Sequence, residues 1–121
     1  MASEDNKNGN VRTIIATAEF DIFFYNQPIK VQEKFNYVIN IMASVYNVST
    51  KFVKHLQNTE LYEMRVSIGT NEYRTVLFAA DNINFIEATQ IVLLNGFLKK
   101  SNKDYKKQIE IAIKILNDLK L

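Results

Sequence analysis

Two arginines on neighbouring predicted strands are the residues of this chain best suited to binding a phosphate. Arg65 and Arg74 flank a turn that begins at Gly69, and a two-residue type II′ turn there places their side chains opposite each other on one face of a β-sheet. Two guanidinium groups side by side repel each other unless carboxylates or a bound anion lie between them. Because guanidinium binds phosphate through two parallel hydrogen bonds, the spacing predicts an anion site on the solvent side of this hairpin.

The same predicted face carries two carboxylates, Glu63 and Glu72, as well as Ser67. They offer a second explanation of the arginine pair, in which the carboxylates neutralise both guanidinium groups and nothing else is bound. Both explanations depend on the length of the turn, because a shift of one residue in register moves a side chain to the other face of the sheet. Spacing alone leaves both explanations open.

Positive charge collects at the C-terminal end of the chain. Residues 91–121 contain seven basic and three acidic residues, a net charge of +4, whereas the whole chain carries only +2. Lys99 and Lys100 directly follow a predicted strand of the same sheet and join the two arginines as candidate phosphate-binding cations. The last predicted helix begins with three further lysines, Lys103, Lys106 and Lys107. A polyanion or an acidic protein partner would be attracted to this cluster, although a solvated helix start explains these lysines equally well.

Four other residues are weaker candidates. His55 is the only histidine, and its ordinary pKa near ~6.5 suits a general base, although a surface or capping role is the simpler interpretation. Glu63 and Tyr105 lie on elements near the cation cluster. Tyr73 could stack on a nucleic-acid base, but packing in the core explains an aromatic residue on a strand at least as well.

The composition excludes several classes of site. The chain has 121 residues, no cysteine and three glycines, which excludes disulfides, thiolate metal sites, a cysteine nucleophile and a glycine-rich nucleotide loop. We therefore expect no cofactor and no metal. The apolar runs are far shorter than the ~20 residues that cross a bilayer, and no signal peptide is evident. We expect no membrane association and a cytoplasmic location.

The hydrophobic pattern predicts an α+β fold. In chain order the predicted elements are a disordered lead-in (residues 1–12), a first or edge strand (13–20), a helical turn (21–26), a helix beginning at the only proline (28–46), strands at 60–68, 72–80 and 90–98, and a helix that starts at Ser101. Residues 91–94 are consecutively apolar, which is typical of an inner strand buried on both faces. Three strands linked in series, with helices at either end, favour an antiparallel sheet in one domain spanning residues 13–121.

Ser101 and Asp104 have the spacing of a helix-capping pair. The apolar face predicted for the last helix consists of Tyr105, Ile109, Ala112, Ile113, Leu116 and Leu119. A helix with this face would cover one side of the sheet.

Three short strings in these elements resemble a known family. They are Leu61-Tyr62-Glu63-Met64-Arg65, Tyr73-Arg74 on the next strand, and Leu93-Leu94-Asn95-Gly96-Phe97-Leu98-Lys99-Lys100. In combination they resemble the RelE/ParE superfamily of toxins, in particular the HigB-like branch that includes phage-derived Gp49-like proteins. The resemblance extends over roughly residues 13–119, and the superfamily's order of helix, strands and helix agrees with the predicted elements.

The resemblance implies the toxin of a type II toxin–antitoxin system, an endoribonuclease or mRNA interferase that acts on the ribosome and is inhibited by a helix-turn-helix antitoxin. The reaction it implies is metal-independent attack of a ribose 2′-OH on the adjacent phosphate. By motif match, Arg65 and Arg74 would be catalytic and stabilise the phosphate, and Lys99 and Lys100 would hold the RNA backbone or assist proton transfer. The resemblance also makes three lysines of the last helix candidate RNA-binding residues: Lys103, Lys106 and Lys107.

The chain departs from the family pattern at four positions. Asn95 stands where many relatives carry histidine, and Ser101, Tyr105 and Gln108 lie around the start of the last helix, where Thr, Pro and Glu are common. The connection at residues 82–89 is also longer than a usual β-turn. Two alternatives therefore stay open: a ParE-like toxin that acts on gyrase, and a catalytically degenerate binding module of the same fold.

Overall fold

A five-stranded sheet with helices on both faces forms the structure, a computed structural model that describes residues 9–119. In chain order the elements are β1 (Thr13–Ala16), α1 (Ala18–Tyr25), α2 (Ile29–Ser44), β2 (Val53–His55), β3 (Leu61–Ile68), β4 (Asn71–Ala79), β5 (Gln90–Leu98) and α3 (Asn102–Leu119). The strand order is β1-β5-β4-β3-β2, and only the β1–β5 pair is parallel. The α+β prediction is confirmed.

The three strands predicted in series match β3, β4 and β5 to within a residue at each end. β5 lies inside the sheet, between β1 and β4, and its residues 91–95 are buried, as the apolar run predicted. The helix predicted at residues 28–46 corresponds to α2, which starts directly after Pro28. β2 was not predicted, because its three residues are too few to show an alternating pattern.

The first predicted strand is too long. β1 ends at Ala16, because the Thr17 side chain accepts a hydrogen bond from the Phe20 N–H at 3.0 Å and caps α1. The Thr17 hydroxyl also donates to the Leu94 carbonyl oxygen at 2.6 Å, which ties the start of this helix to β5. The predicted helical turn at residues 21–26 is the second half of α1.

Alternate residues of the strands face two separate cores. The face towards α1 and α2, here called the α1/α2 face, contains Met64, Val66, Leu77, Ile91 and Leu93 from the strands. The opposite face, here called the α3 face, contains Leu61, Val76, Val92, Leu94 and Phe97 under Ala112 and Ile115 of α3. Helices therefore cover the middle of the sheet on both sides, and polar groups meet solvent at the strand ends and along the β2–β3 edge.

A β-bulge divides the pairing of β4 with β5. Val76 pairs with Asn95, but its neighbour Leu77 pairs with Leu93, so Leu94 is an extra residue in β5. Asn95 and Phe97 consequently share the α3 face with Leu94, while Leu93 lies on the α1/α2 face.

Gly96 allows α1 to lie directly on β5. A β-carbon at this position would lie 2.4 Å from Cδ2 and 2.6 Å from Cε2 of Phe23. The glycine between Asn95 and Phe97 thus has a packing role, because no other residue leaves room for the phenyl ring.

The predicted lead-in is wrong at its C-terminal end. Residues 1–8 lie outside the described residues, but the backbone N–H groups of Val11 and Arg12 both donate to the Ala43 carbonyl oxygen. Arg12 is only 1% exposed, and its guanidinium group donates to backbone carbonyls at the end of α2, directly after that helix and in the β4–β5 connection. The polar composition of the segment gave no indication that Arg12 attaches it to the rest of the fold.

α3 begins after Ser101, whose side chain accepts a hydrogen bond from the Asp104 N–H at 3.1 Å, as the capping pair predicted. Its apolar face is shifted from the prediction, since Ile113 and Leu119 are exposed while Ile115 is buried. The shift follows from the helix period: Ile115 lies three residues after Ala112, and Ile113 lies about 100° away from it.

Candidate active site

The predicted pairing of the two arginines is confirmed. Arg65 of β3 lies opposite Arg74 of β4 in the register, with Glu63 opposite Val76 and Ser67 opposite Glu72. Since directly paired residues share a face, both arginines lie on the α3 face with the two carboxylates. This cluster, consisting of Glu63, Arg65, Glu72, Arg74 and Tyr105, is here called the arginine cluster.

The expectation that both arginines point to solvent is wrong for Arg74. Arg74 is 3% exposed, whereas 32% of the Arg65 side chain is exposed. Arg74 pairs with Phe97 of β5, and the Phe97 ring contacts the Tyr105 ring with centroids 5.9 Å apart. The first turns of α3 therefore cover Arg74, while Arg65 lies nearer the open edge of the sheet.

Glu63 lies between the two guanidinium groups. Its Oε2 atom is 3.5 Å from Nε of Arg65 and 3.7 Å from Nε of Arg74. Its Oε1 atom accepts a hydrogen bond from the Tyr105 hydroxyl. The side chain of Glu63 is only 7% exposed, so two cations and a hydroxyl group together compensate one buried carboxylate.

Glu72 is the second carboxylate bound to Arg74. Its Oε1 atom lies 3.2 Å from Nη1 of Arg74 and accepts a hydrogen bond from the Ser67 hydroxyl at 2.7 Å. The Ser67 hydrogen bond, followed by the hydrogen bond and the charge of Arg74, lowers the pKa of Glu72 despite an opposing effect of burial. The two carboxylates therefore match the two arginines in charge, as the second sequence-based explanation required.

Tyr105 is the hydroxyl donor of the cluster. Burial and the hydrogen bond to Glu63 raise the pKa of Tyr105 well above its ordinary value. The phenol thus keeps its proton at neutral pH and acts as a donor rather than as a base.

Arg74 has a buried donor atom without a hydrogen-bond partner in the described part of the chain. Nη1 donates to the Tyr73 carbonyl oxygen at 2.9 Å as well as to Glu72. Nε is buried and has no hydrogen-bond partner among the described residues, although it lies within ion-pair distance of Glu63. A buried charged donor without a hydrogen bond costs stability, so Arg74 has capacity for a further acceptor.

The predicted lysines lie around this cluster in different ways. The Lys99 N–H donates to the Glu72 carbonyl oxygen at 2.8 Å, and its Nζ atom lies 5.4 Å from the centroid of the Tyr105 ring. Lys100 lines a neighbouring groove with Phe97 and Gln108. The remaining lysines are exposed on the first turns of α3: Lys103, Lys106 and Lys107.

Two of the weaker candidates lie elsewhere. His55 pairs with Tyr62 of β3, which places it on the α1/α2 face, and its Nε2 atom lies 2.8 Å from the Thr59 carbonyl oxygen. Tyr73 is buried on the same face, with its ring 5.7 Å from that of Phe35. The simpler interpretations of these two residues, a local structural role for His55 and core packing for Tyr73, agree with these contacts.

A further cation near the arginine cluster, Lys54, was not predicted from the sequence. Lys54 pairs with Glu63, so it shares the α3 face with the arginine cluster and is exposed there. Only the presence of β2 establishes this register. The next residue, His55, was a candidate because an imidazole can act as a base, but alternation along β2 places it on the α1/α2 face.

The family pattern of phage-derived protein Gp49-like matches residues 22–117 of the chain. The chain belongs to the phage-derived Gp49-like family. This family is associated with RelE- and HigB-like toxins, and membership is consistent with a toxin of a toxin–antitoxin system. No curated protein and no solved structure matches the chain significantly.

Two departures from the expected pattern contact each other in this Gp49-like protein. Asn95 is buried, and its Nδ2 atom donates to the Gln108 backbone carbonyl at 3.2 Å and to its side-chain Oε1 at 3.1 Å. Oδ1 of Asn95 is buried without a hydrogen-bond partner among residues 9–119. The pair therefore links β5 to α3 next to the arginine cluster.

The arginine cluster of this Gp49-like protein combines groups of complementary charge. It brings together two guanidinium groups, two carboxylates and a protonated phenol, which can supply charge stabilisation and proton transfer. Within the part of the chain that the structure describes, no group of three or more histidine or acidic side chains has the arrangement of a metal site. None of the described helices has both the length and the apolar character needed to span a bilayer.

Proposed function

We propose that this Gp49-like protein is the toxin of a type II toxin–antitoxin system, of the HigB-like branch, and that it cleaves mRNA on the ribosome without a metal ion. The observation that carries the proposal is the contact of Glu63 with Arg65, Arg74 and Tyr105. Such a toxin would act in the cytoplasm, and its partners would be mRNA, the ribosome and a helix-turn-helix antitoxin.

The position of Glu63 supports binding of a phosphate. The Glu63 carboxylate is an anion in contact with two guanidinium groups and a hydroxyl donor. Groups of these kinds stabilise the charge on a phosphoryl oxygen. In the proposed complex the scissile phosphate of RNA contacts Arg65 and the unused Nε of Arg74. Lys99 and Lys100 hold the adjacent backbone.

Glu63 and Tyr105 are suited to the two proton transfers. Glu63 takes the proton of the 2′-OH while this oxygen attacks phosphorus, the bond from phosphorus to the 5′-oxygen breaks, and Tyr105 gives its proton to the departing 5′-oxygen. The products are a cyclic phosphate and a 5′-hydroxyl. Glu63 then returns its proton to Tyr105 through the hydrogen bond that joins them, which restores both groups.

Access to Arg74 requires movement of the first turns of α3, because Tyr105 and Phe97 cover it. Arg65 needs no such movement, since a third of its side chain is exposed. We therefore propose that RNA first contacts Arg65 and the exposed lysines, and that the rest of the cluster becomes available when α3 shifts.

Arg65→Ala tests the proposal in a protein that should fold normally. The chain is expressed in a bacterium without antitoxin, and the 5′ ends of transcripts are mapped. We expect the wild type to cut messages and Arg65→Ala to lower cleavage by about 10²-fold or more, with Arg65→Lys intermediate because it keeps the charge but loses the two-pronged geometry.

Lys114→Ala, which removes an exposed lysine outside the cluster, is the matched control and should cleave like the wild type. Growth arrest with intact messages contradicts the proposal. DNA breaks that depend on gyrase, in the absence of RNA cleavage, would indicate a ParE-like toxin.

A non-catalytic binding module is the second candidate function. The charge balance of the cluster favours it, because Glu63 and Glu72 already neutralise both arginines and Arg74 is buried. Full expression without antitoxin distinguishes the two functions, since a binding module of this kind leaves growth and transcripts unchanged.

A further inference from the structure

A cationic cavity lies beside the arginine cluster, between α2 and the edge of β3. β2 pairs only with residues 62–64 of β3, and the Arg65 N–H donates to the Phe52 carbonyl oxygen at 2.7 Å. Beyond that point β2 no longer covers the edge of the strand. A cavity of about 130 Å³ opens there, lined by Lys34, Tyr37, Lys51, Phe52, Arg65 and Ser67.

The lining of this cavity is positively charged. It contains three cations, Lys34, Lys51 and Arg65, and no acidic residue. Low-dielectric walls with charges of one sign concentrate the field and attract an anion. The cavity therefore differs from the arginine cluster in having no carboxylate in its lining, although one of its cations, Arg65, pairs with Glu63 outside it.

Two aromatic rings form part of the wall. The rings of Tyr37 and Phe52 meet edge to face with centroids 6.5 Å apart. Nζ of Lys34 lies 5.5 Å from the Tyr37 ring, and Nζ of Lys51 lies 5.5 Å from the Phe52 ring. Tyr37 is 56% exposed, so one of its faces is free to stack on a flat ligand.

The combination of rings and cations matches a nucleotide. Proteins bind single-stranded nucleic acid by stacking bases on aromatic side chains and by placing cations along the backbone. An engineered cavity of about 150 Å³ holds benzene, so a cavity of about 130 Å³ is of the size of one heterocyclic ring. An inorganic anion would explain the lysines but not the exposed ring.

Arg65 connects the cavity with the arginine cluster. It lines the cavity and also forms an ion pair with Glu63 at 3.5 Å. We propose that this cavity is a nucleotide subsite of the single-stranded RNA substrate, in which a base stacks on Tyr37 while Lys34 and Lys51 bind the phosphates next to the one held by Arg65. The proposal rests on the proposed function, because it places this base next to the scissile phosphate.

Binding of a non-cleavable RNA tests the subsite without relying on catalysis. The probe is a short single-stranded RNA whose ribose 2′-OH groups are methylated, with 4-thiouridine at successive positions, and its Kd for the full chain is measured by fluorescence anisotropy. We expect Tyr37→Ala to weaken binding roughly 10-fold and Tyr37→Phe to keep it. Combined Lys34→Ala and Lys51→Ala should weaken binding and reduce its dependence on salt. Photo-cross-links should form to Tyr37 or Phe52.

The matched controls are Tyr25→Ala and Lys114→Ala, which remove an exposed tyrosine and an exposed lysine outside the cavity and should bind like the wild type. Wild-type affinity in Tyr37→Ala, or cross-links confined to other surfaces, overturns the subsite. So does an acidic peptide that binds through Tyr37 while the RNA does not bind.

The two proposals fail in different ways. If the wild type cleaves transcripts and Tyr37→Ala changes neither KM nor the base preference, the subsite is wrong and the ribonuclease assignment stands. If the RNA binds and cross-links as expected but no transcript is cut in the expression experiment, the subsite stands and the ribonuclease assignment is wrong.

Discussion

Two buried arginines, Arg12 and Arg74, are held in opposite ways. The guanidinium group of Arg12 donates five hydrogen bonds to backbone carbonyl oxygens, at distances from 2.7 to 3.2 Å, and its carbon atom Cζ lies 4.5 Å from the centroid of the Phe85 ring. Arg74 donates to one backbone carbonyl and otherwise contacts two carboxylates, with Nε lacking a hydrogen bond among the described residues.

The two sets of acceptors distinguish a structural arginine, Arg12, from an arginine whose partners can be exchanged, Arg74. Backbone carbonyls cannot leave Arg12 unless α2 or the β4–β5 connection unfolds, so that its contacts last as long as the fold does. Carboxylates on side chains can rotate away from Arg74 and make room for another anion. Burial alone therefore does not indicate the role of an arginine, whereas the nature of its acceptors does.

The largest effect should come from Arg12→Met. Five carbonyl oxygens lose their donor, and we expect the free energy of unfolding to fall by about 4 kcal/mol or more. Urea denaturation measures this loss. Arg12→Lys should be nearly as damaging, because an ammonium group has three donors and cannot reproduce the planar arrangement. A stability close to that of the wild type in either variant would contradict the structural role.

Arg74→Met should have a smaller effect on stability, about 1–3 kcal/mol, because Glu63 keeps Arg65 and Tyr105 as partners. The double variant Arg74→Met, Glu63→Gln should recover part of that loss, since no buried charge is left without its partner. Urea denaturation of the two single variants and the double variant measures the coupling. A loss as large as that of Arg12→Met, without any recovery, would make Arg74 a second structural arginine.

Tyr105→Phe tests the hydroxyl group of the cluster through alkaline unfolding. Burial and the bond to Glu63 raise the pKa of Tyr105 in the folded chain, so above about pH 10 the unfolded chain releases this proton while the folded chain keeps it. The stability that Tyr105 contributes is therefore complete below about pH 10 and declines as the pH rises further. Tyr105→Phe should remove this decline, measured as the unfolding free energy across the alkaline range.

The smallest effect should come from Ser67→Ala. The hydroxyl hydrogen bond lowers the pKa of Glu72 in the folded chain, so its contribution to stability is present above the ordinary glutamate pKa of about 4.3 and is lost as the pH falls through the lower folded value. In Ser67→Ala the pKa of Glu72 should rise towards the ordinary value in an NMR titration. Ser44→Ala, which removes a hydroxyl bound only to the Asn40 carbonyl, should leave it unchanged.

The pairing of Arg65 with Arg74 could be predicted because alternation along strands and the length of one turn determine it. The burial of Arg74 could not be predicted from the hairpin alone. This burial depends on how α3 packs over the sheet and on two aromatic residues, Phe97 and Tyr105. They lie 23 and 31 residues after Arg74 in the sequence. Long-range packing of this kind leaves no local pattern.

Arg12 shows the same limit in another form. The residues before it, 1–10, are mostly polar, which is typical of a disordered terminus. Its acceptors belong to the end of α2, to the two residues after that helix and to a connection more than 70 residues away. Every residue has a backbone carbonyl whatever its side chain, so a site made from carbonyls cannot be recognised in the sequence. The aromatic and cationic cavity was missed for a related reason, since its lining comes from three separate segments.

The bulge at Leu94 lets β5 place two consecutive side chains, Leu94 and Asn95, on the face beneath α3. Deleting Leu94 would restore regular alternation, while Asn95, Gly96 and Phe97 would keep their partners on β4 and therefore their faces. The loss would fall on the core beneath α3, where the Leu94 side chain is fully buried. A shortened β5 should therefore lower the free energy of unfolding and leave the two arginines paired, so this extra residue serves the attachment of the last helix rather than the alignment of the charged groups.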